Sequence, residues 1–474
     1  MNKQDNKHIS KKGMTRRDFL SGTAATAAAF TIVPRQVLGG RGYTPPSETV
    51  NVAGIGIGGQ GRSNLRNLQA AGANIVALCD VDQDYAARVY KEYPEAKQYV
   101  DYRVMLEKQE DIDAVMVATP DHSHAVISMA AMKLGKHVYC EKPLTRCVSE
   151  ARALTEAARE HKAATQMGNW GHADRGIRLV CEWLWDGAIG KVHEVHAWTN
   201  RPVWPQGVEL TRPEEAPPVP DTLNWDLWIG PAPMRPYHPA YLPAIWRGWA
   251  DFGTGALGDM ACHIWDPIFM ALKLGYPTSV EGCCSNYYSG FFRQDYESLK
   301  ESFPRATIIR FQYPGHEGQP PVKLTWYDGG MMPERPEDLE ASRRMGDGDG
   351  GVLFIGDKGK LMCGCYGRSP SLIPTSRHLE YMEYLKEHEP AIKAPPYPGR
   401  NGHWVEFVEA CKGGEPAGSN FDYAGPLTES VVMGNLSVRF SGRKLLWDGA
   451  NMKVTNFEEA NKFVHPEYRK GWTL

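Results

Sequence analysis

Thr49-Val50-Asn51-Val52-Ala53-Gly54-Ile55-Gly56-Ile57-Gly58-Gly59-Gln60-Gly61 decides the fold of this 474-residue chain. The apolar run to Ile55 reads as a buried parallel strand entering a glycine turn. Glycine at 56 makes the tight bend, at 58 lets a backbone approach a pyrophosphate, and at 61 lets the next helix pack on the strand. A helix from Arg62 to Ala70 then offers its first N–H groups to phosphates. A second strand, Asn74 to Leu78, ends at Asp80, 19 residues past Gly61. A carboxylate there accepts the ribose 2′-hydroxyl and repels a 2′-phosphate, so the pattern predicts NAD rather than NADP.

Working outward, Ala114 to Ala118 reads as a further strand, ending in Thr119-Pro120-Asp121-His122-Ser123-His124. These polar groups fall where a nicotinamide ribose would pass, although His122 and His124 read equally well as helix-capping loop residues. A helix over Ala125 to Leu134 and a strand over His137 to Cys140 follow, then Glu141-Lys142-Pro143. Open parallel sheets hold ligands at the carboxyl ends of their strands, and proline stiffens the turn that presents Lys142 there. The alternation of short Val/Ile strands with helices is the doubly wound α/β pattern.

Composition narrows the function. Hydrophobic residues make up 42% and charged residues 23%, enough for a full core, and a net charge of −3 gives no field for nucleic acid or anionic membranes. Ten cysteines show no C-x-x-C and no zinc-pair spacing, so neither a disulfide framework nor a metal site is expected. Most read as small buried hydrophobes. The segment Thr15-Arg16-Arg17-Asp18-Phe19-Leu20, behind Lys3, Lys7, Lys11 and Lys12 and ahead of a mildly apolar run to Val33, reads as a twin-arginine export signal too short to span a bilayer. Residues 1–47 are therefore signal and linker, 48–168 the NAD-binding domain and 169–474 a second, substrate-binding domain.

That second part carries Asp251-Phe252-Gly253-Thr254-Gly255-Ala256-Leu257-Gly258-Asp259-Met260-Ala261-Cys262-His263. With a helix running from Asp259, Asp259 and His263 stand one turn apart on one face. The pair can be an oriented acid–base couple, two metal ligands lacking a third, or a bland surface pair. Gly190 to Thr199 and Ala306 to Tyr313 alternate as strands, and Val352 to Leu361 reads as a hairpin. His403 to Cys411 and Leu427 to Phe440 carry helical periodicity. Asp328 to Gly351, charged and Gly-rich, reads as a mobile surface loop. The 14 Trp and 21 Tyr are many, and several cluster between Trp170 and Trp265, where such faces can stack on sugars or pack a core.

Taken together, Gly56, Gly58, Gly61, Asp80, Thr119-Pro120 with His122 and His124, Glu141-Lys142-Pro143 and Gly258-Asp259-x-x-x-His263 resemble the Gfo/Idh/MocA oxidoreductase family from about Thr49 onward. The resemblance implies a Rossmann doubly wound parallel sheet plus an α+β C-terminal domain with a large, mostly antiparallel open sheet. It implies a homo-oligomer, dimer or tetramer, with one helix able to pack back on the Rossmann domain. Lys142, Asp259 and His263 become the catalytic set, Asp259 orienting His263. Glu141 and Lys142 join the NAD contacts, and Trp170, His172, Arg175, Trp246, Arg247 and Asp259 become candidate substrate contacts. Ala261 stands where relatives often have glycine.

The implied activity is NAD-dependent oxidation of a ring hydroxyl, position 3 by resemblance, of a sugar or glycoside in the periplasm. Two alternatives share the motifs: an NAD-dependent glycoside hydrolase working by transient oxidation and elimination, and a non-catalytic sugar- or nucleotide-binding module.

The export reading is checked by Arg16→Lys with Arg17→Lys. The double variant should strand soluble, NAD-binding protein in the cytoplasm. Unchanged export would show the N-terminus to be something else.

Overall fold

The structure, a computed structural model, describes residues 49–207, 211–294, 298–390, 392–399 and 401–474. The twin-arginine segment and its linker lie outside the described residues.

Six strands form the first sheet: β1 (Asn51–Ile55), β2 (Asn74–Cys79), β3 (Lys97–Tyr99), β4 (Ala114–Val117), β5 (His137–Cys140) and β6 (Thr165–Met167). Their spatial order is β3-β2-β1-β4-β5-β6, every pair parallel. Helices α1 (Gly59–Ala70), α2 (Gln83–Glu92), α3 (Tyr102–Lys108), α4 (Asp121–Lys133) and α5 (Val148–Glu160) make the connections. Ala114-Val115-Met116-Val117 is buried throughout because helices cover both faces of a parallel sheet. The strand order reverses between β1 and β4, and the crevice outside that switch point is where such sheets bind ligands. Both the Gly56 turn and the Glu141-Lys142-Pro143 turn open onto that edge.

The second half is built on a nine-stranded sheet from β7 (Val192–Thr199), β8 (Ser279–Cys284), β11 (Thr307–Tyr313), β12 (Val322–Tyr327), β13 (Gly350–Gly356), β14 (Gly359–Gly364), β15 (Ser371–Ile373), β16 (Lys444–Asp448) and β17 (Lys453–Val454). The order is β15-β14-β13-β7-β12-β11-β8-β16-β17, antiparallel except where β7 meets β12. β9 (Tyr288–Gly290) and β10 (Arg293–Gln294) form a separate small ribbon. Among its helices are α6 (Arg175–Trp185), α7 (Trp225–Ile229), α8 (Gly255–Ile264), α9 (Asp266–Leu272), α10 (Gly402–Cys411) and α11 (Phe421–Arg439). One continuous hydrophobic cluster runs from Val117 and Val138 of the parallel sheet through Trp265 of the second half to Phe311 and Trp326 of the other sheet. The halves are therefore packed as one body rather than linked as beads.

Helix α11 seals that junction. It packs on α5 of the first half and on β8 of the second. At its centre Arg152 donates to both carboxylate oxygens of Glu429 at 2.8 and 2.9 Å and to the Gly449 carbonyl at 2.9 Å. Asp328 to Gly351 is less of a surface loop than its composition predicts. Asp328 accepts from Thr307 and Trp326, and Leu339 and Met345 are buried against Trp198 and Met362. All ten cysteines are free thiols, seven of them buried. Among the described residues no helix is long and apolar enough to cross a membrane.

Breaking the Arg152–Glu429 fork should be costly, because it leaves a largely buried guanidinium without its carboxylate. Glu429→Leu should lower unfolding stability by about 3 kcal/mol in urea titration, with part of it recovered when Arg152→Met is added. A loss under about 1 kcal/mol would mean that the pair does not hold the halves together.

Candidate active site

A single cleft of about 630 Å³ runs along the carboxyl edge of the parallel sheet, with the glycine turn at one end and α8 at the other. At the turn, Gly56 has φ +75°, and a Cβ there would sit 2.8 Å from the Ala118 backbone. A Cβ on Gly61 would lie 2.0 Å from the Gly56 carbonyl, so α1 approaches the strand end only as glycine. No side chain caps α1 at Gly58, which leaves its first N–H groups for an anion. Asp80 leaves the end of β2 and accepts from Ile57 N at 2.9 Å and Asp82 N at 3.0 Å. Burial pushes its carboxyl up to about 6, against the help of those N–H donors. A desolvated carboxylate at this edge is a cost to folding that a ribose hydroxyl can repay.

The middle of the cleft is lined by Thr119, Pro120, Glu141 and Lys142. Thr119 Oγ1 is buried and has no hydrogen-bond partner. Glu141, also buried, accepts from Asn64 Nδ2 at 2.7 Å, which orients it from α1. Of the two histidines expected as cofactor contacts, His124 lines the cleft and His122 does not. His122 packs on Trp228 and Phe252, with its ring nitrogens on their carbonyls at 3.1 and 3.3 Å. Burial lowers its pKa to about 4 although the two carbonyls oppose it, and the ring clamps α4 to the second half. His124 spans the Pro143 carbonyl at 2.9 Å and the Thr119 carbonyl at 2.8 Å. Two carbonyl acceptors require two N–H donors. Although burial opposes the charge, Cys140, Asp121 and those carbonyls raise its pKa. His124 thus ties the strand end at 119 to the Lys142 turn and has no free nitrogen for a ligand.

At the far end, helix α8 supplies Asp259 and His263, as the spacing predicts. Their partners are not the predicted ones. Lys142 Nζ donates to Asp259 Oδ1 at 2.9 Å and to its backbone carbonyl at 2.8 Å. Arg247 Nε stands 2.9 Å from the same Oδ1 and Arg201 Nε 3.9 Å from Oδ2. Burial disfavours the charge on Asp259, but Lys142 and Arg247 outweigh it and hold the carboxyl well below its usual range. Asp259 therefore positions Lys142 instead of orienting His263. His263 is buried with Nδ1 unpartnered. Burial first, then the Lys142 charge, depress its pKa well below 6.5, with Asp259 opposing.

The expected substrate contacts divide. Trp170, Trp246 and Arg247 line the cleft. His172 does not: it is buried, its Nδ1 on Asp266 at 2.9 Å beside the Asn169 and Tyr423 donors to the same carboxylate. Arg175 opens α6 in an exposed position away from the cleft. The sequence reading missed Arg201, Trp204 and Tyr366. Tyr366 adopts φ +61°, stacks on Trp170 at 4.7 Å and meets the His263 ring at 4.9 Å. A Cβ on Gly171 would strike that ring at 2.3 Å. An aromatic between Gly364 and Gly367 was the available signal. Among the described residues no cluster of His, Cys, Asp or Glu is set to hold a metal.

The cleft thus joins a dinucleotide-binding edge to a lysine–histidine end. Residues 50–169 match the Gfo/Idh/MocA oxidoreductase family's NAD-binding Rossmann-fold model, and residues 191–282 match the model of that family's C-terminal alpha/beta domain. Inositol 2-dehydrogenase of Serratia proteamaculans is 32% identical over 157 residues, 32% of this chain and 47% of that one. Levoglucosan dehydrogenase of Pseudarthrobacter phenanthrenivorans is 26% identical over 189 residues, 40% of each. The chain spans under half the length of these curated relatives. In fold it matches a levoglucosan dehydrogenase solved with NADH and levoglucosan, with a TM-score of 0.53 and 17% identity over 84% of this chain and 99% of that one.

The residues present fit NAD: an uncapped helix start behind a closed glycine approach, and Asp80 at the ribose position. NAD should bind more tightly than NADP in titration of the cofactor-free protein, and Asp80→Ser should narrow the difference by weakening NAD. Equal or tighter NADP binding would overturn the role of Asp80.

Proposed function

We propose that this protein is an exported NAD-dependent oxidoreductase that oxidises a ring hydroxyl, position 3 by resemblance, of a sugar or glycoside. The observation that carries the reading is the convergence of Lys142 and His263 at the end of the dinucleotide cleft, below an aromatic wall of Trp170, Tyr366, Trp204 and Trp246. NAD, when bound, supplies the hydride acceptor. This chain supplies the proton chemistry and the positioning.

His263 is kept neutral by burial, so at neutral pH its ring offers an acceptor nitrogen for the substrate hydroxyl proton. Lys142 has three N–H donors, and Asp259 takes two of them. The third is free for the substrate oxygen, where it stabilises the charge that develops as the proton leaves. Asp259 fixes the amine so that no reorganisation is needed during reaction. His124 fixes the turn that carries it. The aromatic wall gives C–H faces a surface to lie on and excludes water.

On a substrate the parent enzyme oxidises, Lys142→Ala should lower turnover ~100-fold or more with NAD affinity nearly unchanged. His263→Ala should cost a similar factor, and the double variant little more if the two act as a unit. Because the His263 pKa is depressed, its neutral form persists at pH 6.5 and is lost only as pH falls further. The parent's kcat/KM should therefore be flat upward from pH 6.5 and decline below it. A limb centred at or above pH 6.5, or near-normal turnover in Lys142→Ala, contradicts these roles. A chromogenic glycoside with no added NAD separates the hydrolytic alternative: aglycone release without NADH accumulation would favour it.

A further inference from the structure

Arg247 reaches the cleft from the 3₁₀ turn Ala244–Gly248. Its guanidinium carbon lies 4.3 Å from the Trp246 ring centroid and 5.6 Å from that of Trp204. Such neighbours hold the planar group in one orientation. The side chain is 19% exposed. Its Nε is close to Asp259 but is not aligned to donate, and it counts among the buried atoms without a hydrogen-bond partner. Among the described residues, no acceptor takes a hydrogen bond from any of its N–H groups. With Nε turned to Asp259, the terminal N–H groups, held in a fixed plane at a cleft wall and used by no acceptor among the described residues, are an incomplete site.

The surrounding charges do not complete it. Asp259 already accepts from Lys142 and stands near Arg201. Asp121 is buried behind, with Oδ2 taken by Thr254. Asp349 pairs with Arg201 from a half-exposed position at 3.3 Å. Counted together, these three carboxylates balance Lys142, Arg201 and Arg247. What distinguishes Arg247 is therefore its unmet donors and their geometry rather than net charge.

We infer that the substrate carries a carboxylate, as a hexuronate or its glycoside does, and that Arg247, with Arg201 beside it, is the residue that selects it. A planar carboxylate matches a guanidinium edge with two parallel hydrogen bonds, which a hydroxyl cannot reproduce. Trp204 and Trp246 exclude water from that pair, which strengthens it. The inference rests on the sugar-oxidoreductase reading for the rest of the molecule bound here, but its test is one of binding.

The test is a titration of tryptophan fluorescence, with NAD present, using methyl β-glucuronide against methyl β-glucoside, the matched galacto pair, and glucose 6-phosphate. A uronide of at least one configuration should bind about 30-fold more tightly than its neutral partner and than the phosphate, since hydrogen bonds to charged groups are worth about 1.5–3 kcal/mol. Arg247→Met keeps an apolar stem, and it should bring the uronide-to-neutral ratio close to one at an unchanged melting temperature. Equal or tighter binding of the neutral sugars or the phosphate, no binding of any uronide, or a ratio that survives Arg247→Met would overturn the inference. NADH formation is measured separately. A selectively bound uronide that yields no NADH counts against the oxidation reading and leaves the carboxylate site standing, whereas NADH from neutral sugars alone does the reverse.

Discussion

The carboxylate of Asp259 is the contact on which the site depends. It lies on a helix of the second half and draws in Lys142, which hangs from the edge of the parallel sheet, through its side chain and its own carbonyl. A buried carboxylate is expensive unless cations surround it, and a buried lysine is expensive unless a carboxylate meets it. Each removes the cost of the other. Their meeting sets the distance between the two halves at the point where reaction would occur. Arg247 and Arg201 approach the same carboxylate from the substrate side, so one anion organises three cations from three segments of chain.

That arrangement changes the division of labour that the Asp-x-x-x-His spacing suggests. An aspartate one helical turn before a histidine is well placed to fix its tautomer, and for an isolated helix that is the natural reading. Here the lysine wins the aspartate, because a charge-assisted bond to an ammonium is stronger than one to a neutral ring. His263 is left without a partner on Nδ1 and shielded from water. Burial and the Lys142 charge keep it uncharged, as the proposed proton acceptor has to be. His124, offered by the same polar stretch as a cofactor contact, spends both nitrogens on carbonyls and supports Lys142 from behind.

How much the chain reveals about itself follows from the range of each interaction. The glycine turn, the strand ending at Asp80 and the strand running into Glu141-Lys142-Pro143 are legible because local backbone demands select glycine and proline at fixed positions. The i, i+4 placement of Asp259 and His263 is legible for the same reason, since helix spacing is local. His122 is misread because what decides its role is Phe252, 130 residues away. His172 is misread because the deciding group is Asp266, 94 residues on. Tyr366 enters the site through an uncommon backbone angle and a space left by Gly171, and neither leaves a periodic trace. Arg201 and Trp204 belong to no motif or periodic pattern until the fold brings them to Asp259 and Arg247.

The most direct test of the central contact is chemical rescue. With Lys142→Ala, added methylammonium should restore part of the lost turnover, because the Asp259 carboxylate still marks the place of the missing ammonium. The same amine should fail to rescue Lys142→Ala combined with Asp259→Ala, while a lone Asp259→Ala should lose nearly as much turnover as Lys142→Ala. Rescue of equal size with and without Asp259 would show that the carboxylate does not position the amine, and the account of the site would have to be rebuilt around His263.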